Sequence, residues 1–123
     1  METPMSNAAR SIYVFGIYLI VIGGILMGSP NTLLSMLGIA PTSEPWIRIM
    51  GMLVMVIGML DVACARTEQT GFFRATVYTR TFALICFVAF AAMGIAPSIL
   101  ILFGAIDAAG ALWTYSALRV NRA

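Results

Sequence analysis

The chain has 123 residues, of which 61% are hydrophobic and 10% charged, with a formal net charge of +2 and a mean hydropathy of +0.98. Soluble domains are roughly half apolar, so this composition points to an integral membrane protein and excludes a nucleic-acid-binding patch. There is no histidine, and the two cysteines, Cys64 and Cys86, stand alone without metal-ligand spacing; nothing calls for a metal or a cofactor.

A bilayer core of about 30 Å takes roughly 20 apolar residues per helix, so the length accommodates about four spans and short connections. The expectation is one all-α domain over residues 1–123, a four-transmembrane-helix bundle. Arg10 precedes an apolar stretch, Ile12 to Met27, that is long for a signal-peptide core and carries Tyr13 and Tyr18 as interface anchors. It reads as a permanent first span, Ser11 to Gly28. In "SPNTLLSMLG" Ser29 is an N-cap candidate, Pro30 suits a first helical turn and Gly38 closes the apolar run, which predicts a short interfacial helix. "SEPWIR" opens the second span, Trp46 to Ala65. "TGFFRATVYTR", residues 70–80, reads as an amphipathic lead-in at headgroup level, with a partner-binding loop as the alternative. The third span follows from Thr81 to Ile95; as the shortest of the four it is expected to extend toward Tyr78 or to tilt little. A tight turn at "GIAPS" and the fourth span from Ser98 to Leu118 come next.

All basic residues are arginine. Arg10, Arg66, Arg74, Arg80, Arg119 and Arg122 fall on one side of these spans and Arg48 on the other. Arginine near span ends is retained in the cytoplasm, so both termini are expected inside the cell, in the inner or plasma membrane. "MGSPNTLLSMLG" from Met27 and "MGIAPSILILFG" from Met93 share a span end, a proline and a closing glycine. Together with the equal distances from Gly51 to Arg66 and Gly104 to Arg119, they suggest a parallel 2+2 internal repeat.

Membrane helices join through small residues and hydrogen bonds rather than through the hydrophobic effect. At 100° per residue, Tyr13, Gly16, Ile20, Gly23, Gly24 and Met27 share one stripe of the first span. Arg48, Gly51, Met55 and Gly58 share one in the second, and Gly104, Asp107, Ala111 and Thr114 one in the fourth. Gly16, Gly23, Gly51, Gly58 and Gly104 are therefore expected at helix contacts.

Two of the five acids lie inside apolar runs. Asp61 stands five residues before Arg66, about 7.5 Å inside the boundary, and is expected to form a structural ion pair with Arg80, Arg66 being the alternative. Asp107 lies near mid-bilayer, where an aspartate costs about 2.5–3.5 kcal/mol, and so must face the bundle or a watery cavity. With Arg48 as the candidate cation, and Thr114 and Tyr13 supplying hydroxyls, it forms a candidate ligand-binding group. No nucleophile is paired with a base, and no catalytic residue is assigned.

"WIRIMGMLVMVIGML", Trp46 to Leu60, and "FGAIDAAGALWTYSALR", Phe103 to Arg119, resemble segments of DoxX-like and related small four-helix bacterial membrane proteins. The resemblance implies a four-helix bundle, and a group that includes subunits linked to quinone-dependent oxidation. Small multidrug transporters match in size but carry their essential acid in the first span, which this chain lacks. Three functions follow as expectations. The first is a structural or accessory subunit of a membrane assembly, in contact with lipids and with a membrane-protein partner or further copies of itself. The alternatives are a binder or carrier of a small apolar or cationic ligand around Asp107, and a quinone- or lipid-linked enzyme subunit.

Overall fold

The computed structural model describes residues 5–121. The elements in order are α1 (Asn7–Gly28), α2 (Pro30–Met36), α3 (Trp46–Arg66), α4 (Thr70–Ala92), a 3-10 turn (Ser98–Leu100) and α5 (Ile101–Asn121). No strand occurs among the described residues. Four segments, namely α1, α3, α4 and Ser98–Val120, are helical, long and apolar enough to cross a membrane. The chain divides into two compact units: residues 13–63, and residues 1–12 together with 64–123.

In the unit of residues 13–63, α1 and α3 meet through glycine. A Cβ built on Gly16 would stand 2.8 Å from the Gly58 carbonyl oxygen, and one on Gly58 2.7 Å from that of Gly16. Two turns along, Gly23 and Gly51 repeat the arrangement at 2.6 and 2.9 Å. Residue 16 opposes 58 and residue 23 opposes 51, so the helices run antiparallel. The seven-residue step brings each contact back to nearly the same face, with a drift of about 20° per step. Without side chains the backbones approach closely enough for Cα–H groups to face carbonyl oxygens, a weak attraction that a membrane helix pair exploits.

The α2 segment starts as its sequence predicts, with Pro30 in the first turn after Ser29. Ser29 does not cap through its side chain; its hydroxyl instead lies 2.6 Å from that of Thr32. The helix ends where Ile39 N–H donates to Leu34 (2.8 Å) and Gly38 N–H to Ser35 (3.1 Å). This reversal places Gly38 at φ +73°, a conformation that glycine adopts without a Cβ clash. Leu33 and Leu34 of α2 are buried with Leu26 and Ile47, which anchors the short helix to this unit. Thr42 N–H donates to Asn31 Oδ1 at 2.8 Å and ties down the connection to α3.

In the other unit α4 packs along α5. Gly104 lets α5 approach α4: a Cβ there would come 3.0 Å from Leu84 Cδ1 and 3.1 Å from Phe87 Cδ2. The turn between them closes with Ile95 N–H on Phe90 (2.9 Å) and Gly94 N–H on Ala91 (3.1 Å), with Gly94 at φ +76°.

The expected third span needs correction. The expectation is Thr81 to Ile95 with an extension toward Tyr78, whereas α4 starts at Thr70, eleven residues before Thr81, and ends at Ala92. The segment 70–80 is not a loop: it leads into the third span as part of the same helix. Threonines in and just after this segment bond back to the helix itself: Thr76 donates to the Phe73 carbonyl (2.8 Å), Thr79 to Thr76 (3.2 Å) and Thr81 to Val77 (2.7 Å). A threonine bonded back to a helical carbonyl does not need water, so it does not end the helix. Smaller shifts concern α1, which begins at Asn7 rather than Ser11, and α5, which follows a 3-10 turn and continues to Asn121. Arg122, counted above with the arginines of one side, lies outside the described residues.

Candidate functional site

Ten residues into α4, about 15 Å from its start, Arg80 is buried. The expectation of a boundary arginine is thereby corrected: with the helix starting at Thr70, position 80 falls near its middle. Its Nε donates to the Thr76 carbonyl (3.2 Å), and its Nη2 donates both to Thr76 Oγ1 (3.0 Å) and to Thr114 Oγ1 on α5 (2.9 Å). The Thr114 hydroxyl, fully buried, lies 2.6 Å from Ser11 Oγ in the first turns of α1 and 3.0 Å from the Gly110 carbonyl. Ser11 Oγ in turn donates to the Ala8 carbonyl at 2.6 Å. The guanidinium donates to Thr114, whose single hydroxyl proton is shared between the Gly110 carbonyl and Ser11 Oγ, and Ser11 donates to a backbone carbonyl. Three helical segments of this unit are thereby linked through one buried chain of polar groups.

Asp107 stands two turns before Thr114 on the same face of α5. Gly104, Ala111 and Thr114 on this stripe are buried, and Asp107 is half-buried. It lies six residues into α5, two turns from Thr114, which accepts from the Arg80 guanidinium. Arg48 is exposed and donates from Nη1 to the carbonyls of Met27 and, at 3.3 Å, Gly28. These are among the last carbonyls of α1, which have no partner within their own helix, and a cation is favoured at that negative end of the helix dipole. Arg48 is thus a helix-terminus clamp of the residue 13–63 unit. Tyr13 is half-buried at the edge of the same unit. Asp61 is buried, and its Cβ lies where a side chain at Gly16 would clash, at 2.9 Å.

A second polar group gathers where α1 and α4 begin and α5 ends. Ser6 caps α1, its Oγ accepting from Ala9 N–H at 3.0 Å. Glu68, in the turn between α3 and α4, accepts from Ser6 N–H (2.9 Å) and from Ser6 Oγ (2.7 Å). In a capping box the glutamate three residues into the helix does this work; here that position is Ala9 and the carboxylate comes from 62 residues away. Glu68 carries φ +52°, in a turn closed by Gln69 N–H on Cys64 (3.0 Å) and Glu68 N–H on Ala65 (3.2 Å). Glycine is the usual occupant of that position. Nearby, Trp113 Nε1 donates to Asn7 Oδ1 at 3.2 Å, and the Arg119 guanidinium lies 5.7 Å from the centre of the Tyr115 ring.

Sequence reasoning did not find Ser6, Ser11, Glu68 or Thr76 as members of these groups. One signal was available for Thr76, since a threonine four residues before Arg80 shares its helix face; it applies only once α4 is extended to Thr70. Ser6 and Glu68 offer no local pattern, because the two halves of the cap are far apart in the chain.

The buried chain provides a fixed positive charge and oriented hydroxyls. Arginine keeps its proton at any working pH, and neither Ser11 nor Thr114 is bonded to a base that would activate it as a nucleophile. The arrangement links α4, α5 and the first turns of α1 through buried hydrogen bonds. No protein-family model matches the chain, and neither a curated protein nor a solved structure gives a match.

Proposed function

We propose that this is an integral inner-membrane protein with four spans that acts as an accessory subunit of a membrane assembly, with both termini in the cytoplasm. One observation carries the reading: the buried hydroxyls and Arg80 are engaged in hydrogen bonds between and within helices, while large apolar side chains point outward along α3 and α4. Such a chain offers surface for lipid or a partner helix. The arginine distribution supports the orientation, and the paired span-end motifs at Met27 and Met93 support a parallel 2+2 repeat. A photo-crosslinking residue at Leu53 or Ile57 on α3, or at Ile85 or Val88 on α4, tests it in native membranes, since all four are exposed. The expected result is a protein adduct of one discrete mass from one helix face and lipid adducts elsewhere. Lipid adducts alone at all four positions refute the accessory role.

A second reading has its own support in Asp107, half-buried in the span. An ionisable side chain at that depth is a candidate contact for a cationic or hydrogen-bonding ligand. Asp107→Asn keeps the shape and removes the charge. A ligand from a thermal-shift screen that stabilises the wild type but not this variant supports the carrier reading, and equal stabilisation of both refutes it.

A further inference from the structure

The cap formed by Ser6 and Glu68 borders a cavity of about 240 Å³, several times the roughly 30 Å³ that a water molecule takes in the liquid. Its floor is apolar, formed by Ala8, Phe73 and Leu118, all buried. Its rim carries one acid, Glu68, and one base, Arg74. Each oxygen of Glu68 accepts one bond from Ser6; a carboxylate has about four acceptor sites, so half remain for a donor in the cavity. The exposed Arg74 side chain has five N–H donors and makes no hydrogen bond or ion pair to another described residue.

The depth of the cavity is set by the helices that form it. Ser6 immediately precedes α1, Arg74 lies four residues into α4, and Leu118 lies three residues before the end of α5. Every lining group is therefore within about 6 Å of a helix terminus. If these helices span a bilayer, that is headgroup level, whichever leaflet faces it. Arg10, Arg66 and Arg119 stand at the same ends of α1, α3 and α5, so the surroundings attract phosphate.

We propose that this cavity binds the headgroup of a zwitterionic phospholipid bearing a primary ammonium, a phosphoethanolamine lipid. The phosphodiester takes the guanidinium of Arg74, the ammonium donates to the open acceptor sites of Glu68, and the apolar floor receives the carbons between them. Choline cannot donate hydrogen bonds to Glu68, and a glycerol headgroup brings no cation to it. The inference rests on the membrane-spanning reading above, but not on the accessory role.

The test is native mass spectrometry of the full chain in detergent with equimolar phosphatidylethanolamine, phosphatidylcholine and phosphatidylglycerol, preceded by flotation of the protein with vesicles of the same lipids. The expected result is ethanolamine lipid bound about fivefold more tightly than either competitor, with Arg74→Gln lowering its affinity about tenfold. Glu68→Gln, where circular dichroism shows it folded, removes the preference for ethanolamine over choline. Equal occupancy by the three lipids, or an unchanged affinity in Arg74→Gln, overturns the proposal. So does water-soluble glycerophosphoethanolamine that competes at the same concentration as the lipid, because the site would then serve a free phosphodiester. Failure to float refutes the membrane reading itself, which separates that outcome from a failed headgroup site.

Discussion

Gly23→Ala adds one methyl group where α1 and α3 touch. Its Cβ would lie 2.6 Å from the Gly51 carbonyl oxygen, 2.7 Å from Met55 N and 2.9 Å from Met55 Cβ. Ordinary contact begins near 3.4 Å, so the first of these is short by about 0.8 Å. Two of the three atoms are backbone, which no side-chain rotation can move aside. Overpacking of this kind costs about 1–3 kcal/mol, and separating the helices also weakens the Cα–H···O contacts at both glycine pairs, each about 0.5–1 kcal/mol. Alanine returns about 1 kcal/mol through its better helix propensity. The expected net effect is a loss of about 1–4 kcal/mol. Two controls isolate the cause. A Cβ on Gly24 meets only the mobile end of Met55 at 3.2 Å, and one on Gly71 meets nothing, so Ala at either site should be neutral or stabilising. The assay is reversible unfolding in mixed micelles, followed by circular dichroism, on all three variants. A Gly23→Ala protein as stable as the wild type, or a Gly71→Ala protein equally destabilised, refutes the packing argument.

Three further outcomes are expected. Thr114→Val keeps the volume of a fully buried side chain but removes the hydroxyl that accepts from Arg80 and meets Ser11, so stability should fall by about 1–3 kcal/mol in the same micelle assay, while Ser116→Ala on the exposed face of α5 should change nothing measurable. At Glu68, Ala loses both bonds to Ser6 and keeps the positive φ, whereas Gly loses the bonds but relieves the strain; melting temperatures should rank wild type, then Glu68→Gly, then Glu68→Ala, and a reversed order of the two variants would show that the backbone conformation carries no strain. For orientation, in a protein whose Cys64 and Cys86 are replaced by alanine, a cysteine at Thr67 should be protected from an impermeant thiol reagent in intact cells and one at Thr42 labelled; the opposite pattern inverts the topology.

Composition and periodicity were enough to determine that the chain is helical, how many long apolar segments it has and where the proline- and glycine-marked turns fall. These are local properties. Pro30 sets a first turn, and Gly38 and Gly94 supply the φ that ends a helix, whatever surrounds them. The stripe holding Gly16 and Gly23 was visible because helical geometry alone puts residues seven apart on one face. The start of α4 was not legible. Arg80 and the threonines before it look like a water-exposed boundary until their partners are known, and the partner Thr114 is 34 residues away. Arg48 shows the same limit in reverse, since its bonds go to α1 carbonyls twenty residues earlier, and a carbonyl leaves no trace in residue identity. Tertiary structure alone decided which charges were buried, because the cost of burying one is offset by hydrogen bonds from elements that only folding brings together.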